Sequence, residues 1–311
     1  MNKKKKVIVI MGPTAVGKTA LGVQLAKQYN GEVINGDSLQ VYRTLDIGTA
    51  KVTEEEMDGV VHHLIDIVDP AAPYTASDFK EAAEAAIEAI HQKGKLPIIV
   101  GGSGLYIQGL LSDLTFGNAG DDLLYRAHLE EELAETSAES MWNKLLAIDP
   151  KAAQAIHPNN SRRVIRALEA IHVSGQLFSD QELEVNDRYD SLLIALNCDR
   201  GLLYERINGR VDSMLEKGLL EEARFLYDLA ERENNQAHKG IGYKEWFPYF
   251  DGQISFDDAK EAVKQNSRRY AKRQLTWFRN RMANVHWFDV FDQNYQLDVN
   301  QVVSHFIERG D

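Results

Sequence analysis

Short runs of apolar residues recur along the chain, separated by amphipathic stretches, and this rhythm sets the fold class. Val7-Ile8-Val9-Ile10-Met11, Leu96-Pro97-Ile98-Ile99-Val100 and Leu192-Leu193-Ile194-Ala195-Leu196 are apolar at successive positions, as parallel strands covered on both faces must be. Weaker runs at 32–35 and 64–68 complete a set of predicted strands at 7–11, 32–35, 64–68, 96–100 and 192–198. Helical periodicity fills 18–29, 77–93 and 201–232, so strand and helix alternate. From about 255 a helical pattern runs to Asn280, and Val285-His286-Trp287-Phe288 reads as a late short strand. The alternation predicts an α/β fold with a parallel sheet flanked by helices.

Between 117 and 188 the pattern changes to amphipathic helix without strand signals, rich in Glu, Ala and Leu at first and bearing arginines later. It begins after Gly117-Asn118-Ala119-Gly120-Asp121-Asp122, a polar linker containing glycine, and ends near Asn186-Asp187. The expectation is a helical subdomain at 117–188 inserted into a core made of 1–116 and 189–311.

Gly12-Pro13-Thr14-Ala15-Val16-Gly17-Lys18-Thr19 sits between the first predicted strand and the first predicted helix. This is a complete GxxxxGK[ST] phosphate loop in the context the motif requires. Its glycines let the backbone aim several N–H groups at one anion, and the helix N-terminus adds partial positive charge. Lys18 then neutralises an outer phosphate, and Thr19 is placed to hold Mg²⁺. A P-loop NTPase-like core that binds a di- or triphosphate is expected; the chemistry is left open, because one cradle serves kinases, NTPases and group transferases.

Composition narrows the setting. With 311 residues, 44% hydrophobic and 26% charged, the chain suits a soluble globular protein of one large and one smaller domain. The single cysteine, Cys198, has no internal disulfide partner, and no Cys/His cluster offers a zinc site. A cytoplasmic protein without a membrane segment is expected, and a monomer by default. The net charge of −12 argues against a nucleic-acid partner, but its distribution argues otherwise. Lys264, Arg268, Arg269, Lys272, Arg273, Arg279 and Arg281 occur with no acidic residue among them, interleaved with Tyr270, Trp277 and Phe278. Such a stripe either tracks nucleic-acid phosphates or pairs with the acidic segments of the same protein.

Three further constellations carry chemistry. Asp37 ends the second predicted strand, at the edge where open α/β sheets bind ligands, and is either a general base or a helix cap. Gly101-Gly102-Ser103-Gly104 follows the fourth strand and either receives an anion or a base edge or is an ordinary strand-to-helix turn. Arg206 and Arg210 lie one helical turn apart beyond the last core strand. There an arginine can fold over the phosphate loop. His62-His63 is too short a cluster to be a metal site by itself.

Together these segments resemble the bacterial tRNA dimethylallyltransferases, also called tRNA isopentenyltransferases. The matching stretches, in family order, lie at 12–19, 34–51, 62–66, 101–106, 161–169, 210–222, 239–245 and 268–279. Two features depart from the wider family: Ser103 stands where threonine is usual, and the zinc finger of eukaryotic relatives is absent. The resemblance implies transfer of a dimethylallyl group from dimethylallyl diphosphate to the exocyclic amine of the adenosine 3′ of the tRNA anticodon, releasing pyrophosphate, with Mg²⁺ as cofactor. It implies Asp37, Lys18, Ser103 and Arg210 as catalytic, and residues 12–19 as the diphosphate site. Ser38, Leu39 and Gln40 would line the base pocket with Asp37 and Ser103. Ser161, Arg162, Arg163, Val164 and Ile165 would grip the anticodon stem-loop, with Lys239, Gly240, Ile241, Gly242, Tyr243, Lys244 and Arg273; Arg126 matches less distinctively. The rivals are a small-molecule or nucleoside kinase and a non-catalytic RNA-binding protein.

Overall fold

A computed structural model describes residues 4–112, 122–180, 188–229 and 236–309. Strands β1 (Lys6–Met11), β2 (Gly31–Asn35), β3 (His62–His63), β4 (Leu96–Gly101), β5 (Asp190–Asn197) and β6 (Val285–Asp289) form one six-stranded sheet. Their order is β3-β2-β4-β1-β5-β6 and every pairing is parallel. The helices are α1 (Lys18–Gln28), α2 (Glu54–Met57), α3 (Ala76–Gln92), α4 (Gly104–Leu111), α5 (Leu123–Glu135), α6 (Ala138–Ile148) and α7 (Pro150–Ala155). They continue with α8 (Ser161–Ser174), α9 (Arg200–Glu216), α10 (Leu219–Asp228), α11 (Phe247–Phe250), α12 (Phe256–Arg281) and α13 (Tyr295–Glu308).

β1 is the centre of the sheet, with Ile8 opposite Ile98 on β4 and Leu192 on β5. Its alternate side chains feed two cores. Val7, Val9 and Met11 pack with Phe79, Ile87 and Ile90 of α3, whereas Ile8 and Ile10 pack with Leu21 and Leu25 of α1 and Phe306 of α13. Each of the larger side chains contributes about 1.5–3 kcal/mol on burial. This is why the run at 7–11 contains no polar residue.

The chain divides into two compact units, Met1–Asp113 with Asn186–Asp311, and Leu114–Val185. Within the second unit Leu129, Met141, Leu145, Val164, Ile165 and Leu168 from α5, α6 and α8 share a separate core. The predicted linker at 117–122 lies outside the described residues apart from Asp122, as does the expected end of the helical segment near Asn186-Asp187.

Two sequence expectations need correction. The strand expected at 64–68 is not there: β3 is His62–His63, and Leu64 (φ 62°) and Asp66 (φ 55°) turn the backbone out of extended geometry. Of that segment only Val68 makes an isolated bridge, to Tyr42. His63 itself is structural, its Nε2 lying 2.7 Å from the Glu32 carboxylate, which Lys93 and Lys95 also approach to 2.9 Å. Among the described residues no group of three His, Cys, Asp or Glu can hold a metal ion.

The single helix expected at 201–232 is two helices, broken at Gly218, whose φ of 101° no L side chain adopts cheaply; residues 230–232 lie outside the described set. The break redirects the chain so that Glu222, in the first turn of α10, reaches the loop at 46–48. Its carboxylate accepts the N–H groups of Asp46, Ile47 and Gly48 at 2.8–3.1 Å and the hydroxyl of Tyr243 at 2.7 Å. Gly218→Ala would force a Cβ into this left-handed geometry, and we expect it to cost about 1–2 kcal/mol. The check is a urea melt in which the midpoint falls and the slope is unchanged.

Candidate active site

The phosphate loop joins β1 to α1 and forms one wall of a cavity of about 750 Å³ at the carboxyl edge of the sheet. Gly12, Pro13 and Val16 are buried and build the turn, while Thr14, Ala15, Gly17, Lys18 and Thr19 line the cavity. Ala15 (φ 65°) and Gly17 (φ 104°) both take the left-handed side of backbone space, which anion-binding loops use to aim N–H groups at one point. Lys18 folds back so that its Nζ donates to the Pro13 carbonyl at 2.7 Å. Burial pushes the Lys18 ammonium down to about 8, nearby Arg210 acts in the same direction, and Asp37 opposes them. Lys18 and Arg210 thus stand close enough to repel each other, with the carboxylates of Asp37 and Glu56 lining the same cavity.

Arg210 comes from α9, and its Nη1 lies 3.5 Å from the Thr14 hydroxyl. The expectation of an arginine folded over the phosphate loop therefore matches its position. Arg206, one turn earlier, also lines the cavity and stacks its guanidinium 4.8 Å from the Phe291 ring centroid.

Asp37 lines the same cavity, held by the turn that leaves β2. Asn35 accepts the Asp37 N–H through Oδ1 (3.1 Å) and donates through Nδ2 to the Leu64 carbonyl (3.0 Å). The Asp37 carboxylate in turn accepts the Leu39 N–H at 2.9 Å. No helix begins here, so the carboxylate caps a turn and the helix-cap reading is corrected. Burial raises the affinity of Asp37 for a proton, against the opposing pull of the Leu39 N–H and of Lys18. A carboxylate made more basic in this way, in the cavity that the phosphate loop lines, can accept a proton from a bound nucleophile.

The remaining sequence-selected residues divide sharply. Gln40 lines the cavity and donates through Nε2 to the Thr49 and Ala50 carbonyls, both at 3.1 Å. Ser103 is buried; its Oγ accepts the Ser38 N–H at 3.1 Å and its N–H donates to the Gly36 carbonyl at 3.3 Å, stitching the β2 and β4 turns together. In the 239–244 loop only Lys239 and Lys244 are exposed; Ile241 is half-buried, Gly240, Gly242 and Tyr243 are buried, and Gly240 abuts Leu39. In the second unit Arg162 and Arg163 are exposed and Ser161 opens α8, but Val164 and Ile165 belong to the core. Arg126 there is engaged with the buried Glu169 at 2.6 Å.

The basic helix α12 starts at a capping box, Ser255 and Asp258 exchanging side-chain and backbone hydrogen bonds. Its charges then separate into two classes. Lys264 pairs with Asp212 at 2.8 Å, and Arg268 with Glu261 at 2.8 Å, as the self-pairing reading expected. Arg269, Lys272 and Arg273 are exposed and form no ion pair among the described residues. The inner face of α12 brings Tyr270 and Gln274 to the cavity, which the sequence reading missed. Their spacing of four was the available signal. The contacts of Asn35 with Leu64 and of Glu222 with the 46–48 loop carried none, because these partners are distant in sequence.

The sequence profile of the IPP transferase family matches residues 40–281. The tRNA dimethylallyltransferase of Bacillus subtilis (strain 168) is 53% identical over 308 residues, covering 98% of this chain and 97% of that protein. The chain belongs to the tRNA dimethylallyltransferase family. A crystal structure of a full-length tRNA isopentenylpyrophosphate transferase from Bacillus halodurans superposes with a TM-score of 0.74 at 49% identity, covering 98% of each chain. A eukaryotic dimethylallyltransferase structure described as acting on tRNA gives a TM-score of 0.85 at 34% identity, covering 97% of this chain and 79% of that one. Membership in the tRNA dimethylallyltransferase family sets the kinase reading of the phosphate loop aside.

Asp37→Asn separates two consequences of this geometry. The folded pKa of Asp37 lies above the unfolded one, so its contribution to stability is greatest below the unfolded value and is lost as pH rises through the folded value. Asparagine, which cannot ionise, is therefore expected to raise the thermal midpoint at pH 7.5 and to lose that advantage near pH 4. Loss of the base should lower prenyl-transfer turnover by roughly 10²–10⁴-fold. Calorimetry at the two pH values and a steady-state assay check both.

Proposed function

We propose that this chain transfers a dimethylallyl group from dimethylallyl diphosphate to N6 of the adenosine 3′ of the anticodon in tRNA, releasing pyrophosphate. The carrying observation is that one cavity sets a phosphate loop with Lys18 and Arg210 against the carboxylate of Asp37. A phosphoryl-transfer site would use such a loop to hold a donor nucleotide. Here the loop holds the leaving group.

The adenine amine is a weak nucleophile because its lone pair is delocalised into the ring. As its nitrogen bonds to the allylic carbon and the carbon–oxygen bond to diphosphate breaks, the nitrogen becomes acidic and Asp37 accepts its proton. Negative charge grows on the departing pyrophosphate, where Lys18, Arg210 and the loop N–H groups meet it; such preorganised donors matter most in the transition state. Ile47, Val52, Ile65 and Met214 supply apolar wall for a five-carbon tail. The exposed Thr19 hydroxyl at the start of α1 is a single hard oxygen donor, which fits Mg²⁺ held mainly by diphosphate oxygens and water. Bound there, the ion would neutralise part of the leaving charge.

Ser38 and Ser103 are assigned to the base-pocket edge, where their mutual hydrogen bond fixes the two turns. The tRNA grip is assigned to Arg269, Lys272 and Arg273 on α12, to Lys239 and Lys244, and to Arg162 and Arg163 in the second unit, all of them exposed. Val164, Ile165 and Tyr243 are buried, so they would serve the grip by fixing the backbone that carries it.

Incubation with labelled dimethylallyl diphosphate and tRNA is expected to place label in the tRNA and to release pyrophosphate. Labelled ATP should transfer nothing. Label from ATP appearing in a small acceptor would return the kinase reading.

The tRNA grip has a separate signature in salt. If Arg273 meets a phosphate, Arg273→Ala should weaken tRNA binding and lower the magnitude of the log Kd against log salt slope by about 0.7–0.9. Filter binding across a salt series measures this, and an unchanged slope removes Arg273 from the interface.

A further inference from the structure

Three inward-facing residues of α12, Tyr270, Gln274 and Trp277, stand at the i, i+4 and i+7 spacing of one helix face and meet the glycine turn after β4. Tyr270 lines the cavity beside Gln274. Gln274, only 5% exposed, donates through Nε2 to the Gly102 carbonyl at 3.0 Å. Trp277 covers Gly104. A Cβ on Gly102 would overlap the Gln274 amide and one on Gly104 would overlap the Trp277 ring, so the turn and the helix face interlock with no room for a larger residue.

Gln274 also reaches the phosphate loop. Its Oε1 accepts the Thr14 N–H at 2.9 Å. The same residue presents its hydroxyl to Arg210. One buried amide thus spans the phosphate loop, the Ser103 turn and the basic helix. The Thr14 N–H is spent on this contact, which leaves the later N–H groups of the loop to face an anion.

We propose that Gln274 is a positioning residue for the diphosphate: its amide sets the phosphate loop against the Ser103 turn and joins both to the helix whose outer face carries Arg269, Lys272 and Arg273. The inference rests on the reading of the cavity as the dimethylallyl diphosphate site. Gln274 borders the cavity, but its amide is taken up by Thr14 and Gly102. It acts by holding Thr14, and through Thr14 the loop and Arg210, in register with the base-pocket turn. A displacement of about 1 Å at such a site costs on the order of 100-fold in rate.

The test uses the full chain with Gln274→Met, which keeps the length and loses both hydrogen bonds, and Gln274→Glu, which keeps an acceptor for Thr14 and loses the donor to Gly102. At saturating tRNA, Gln274→Met should lower kcat/KM for dimethylallyl diphosphate by roughly 10–100-fold and weaken binding of inorganic pyrophosphate. Its Kd for tRNA should stay within about twofold of the wild type, since the outer-face cations are untouched. Gln274→Glu should show the same split and carries the test alone if the methionine variant does not fold. Wild-type parameters for dimethylallyl diphosphate in either folded variant would overturn the proposal. So would tRNA affinity falling in parallel with kcat/KM, which would make the residue a general structural strut. Failure of the wild-type chain itself to bind pyrophosphate or to use dimethylallyl diphosphate would instead overturn the underlying reading of the cavity.

Discussion

The burial of β1 between β4 and β5, with apolar side chains on both faces, is the constraint on which the rest of the molecule depends. A parallel sheet covered on both sides requires a crossover after each strand, and those crossovers place every strand's carboxyl end at one edge. The phosphate loop after β1, the Asp37 turn after β2, the Ser103 turn after β4 and the start of α9 after β5 are therefore neighbours. Thr14 and Arg210, 196 positions apart in sequence, come within hydrogen-bonding reach as a result.

At that edge the charges are arranged so that the site is incomplete alone. Burial weakens the protonation of both Lys18 and Arg210, with Arg210 adding to the effect on Lys18 and Arg206 to that on Arg210, and burial of Asp37 favours its neutral form. Under the proposed function an incoming diphosphate would satisfy the cations, and a proton from the acceptor amine would satisfy the carboxylate. Ground-state discomfort of this kind stabilises the folded protein poorly, but it suits a reaction that separates a proton from a departing anion.

Helix α12 resolves the conflict between an acidic protein and a polyanionic partner. Part of its charge, Lys264 and Arg268, is neutralised by Asp212 and Glu261 of the same protein. The remainder, Arg269, Lys272 and Arg273, forms a local cationic patch that a global charge of −12 conceals. Screening over about 8–10 Å makes such a patch effective regardless of the distant acidic segments. The inner face of the same helix presents Gln274 to the phosphate loop and to the Ser103 turn, so under the proposed function one element would serve the RNA and the diphosphate through different sides.

Much of this was determined by the sequence alone. Apolar runs specified the strands at 7–11, 96–100 and 192–198 because a doubly covered strand tolerates no polar residue. The phosphate loop declared an anion site because its glycines, lysine and threonine act through local backbone geometry, and the ordered motifs pointed to the family. Local pattern failed where the deciding interaction was not local. The run at 64–68 has strand composition but turns at Leu64 and Asp66, and α9 and α10 were read as one helix because Gly218 acts through a backbone angle that periodicity does not register. Val164, Ile165 and Tyr243 read as part of an RNA grip, yet packing places them in cores. The roles of Asn35, Glu222 and Gln274 were decided only by tertiary structure. Each holds a partner that chain folding, and not sequence proximity, brings to it, and a buried hydrogen bond between distant elements leaves no period or motif in the sequence.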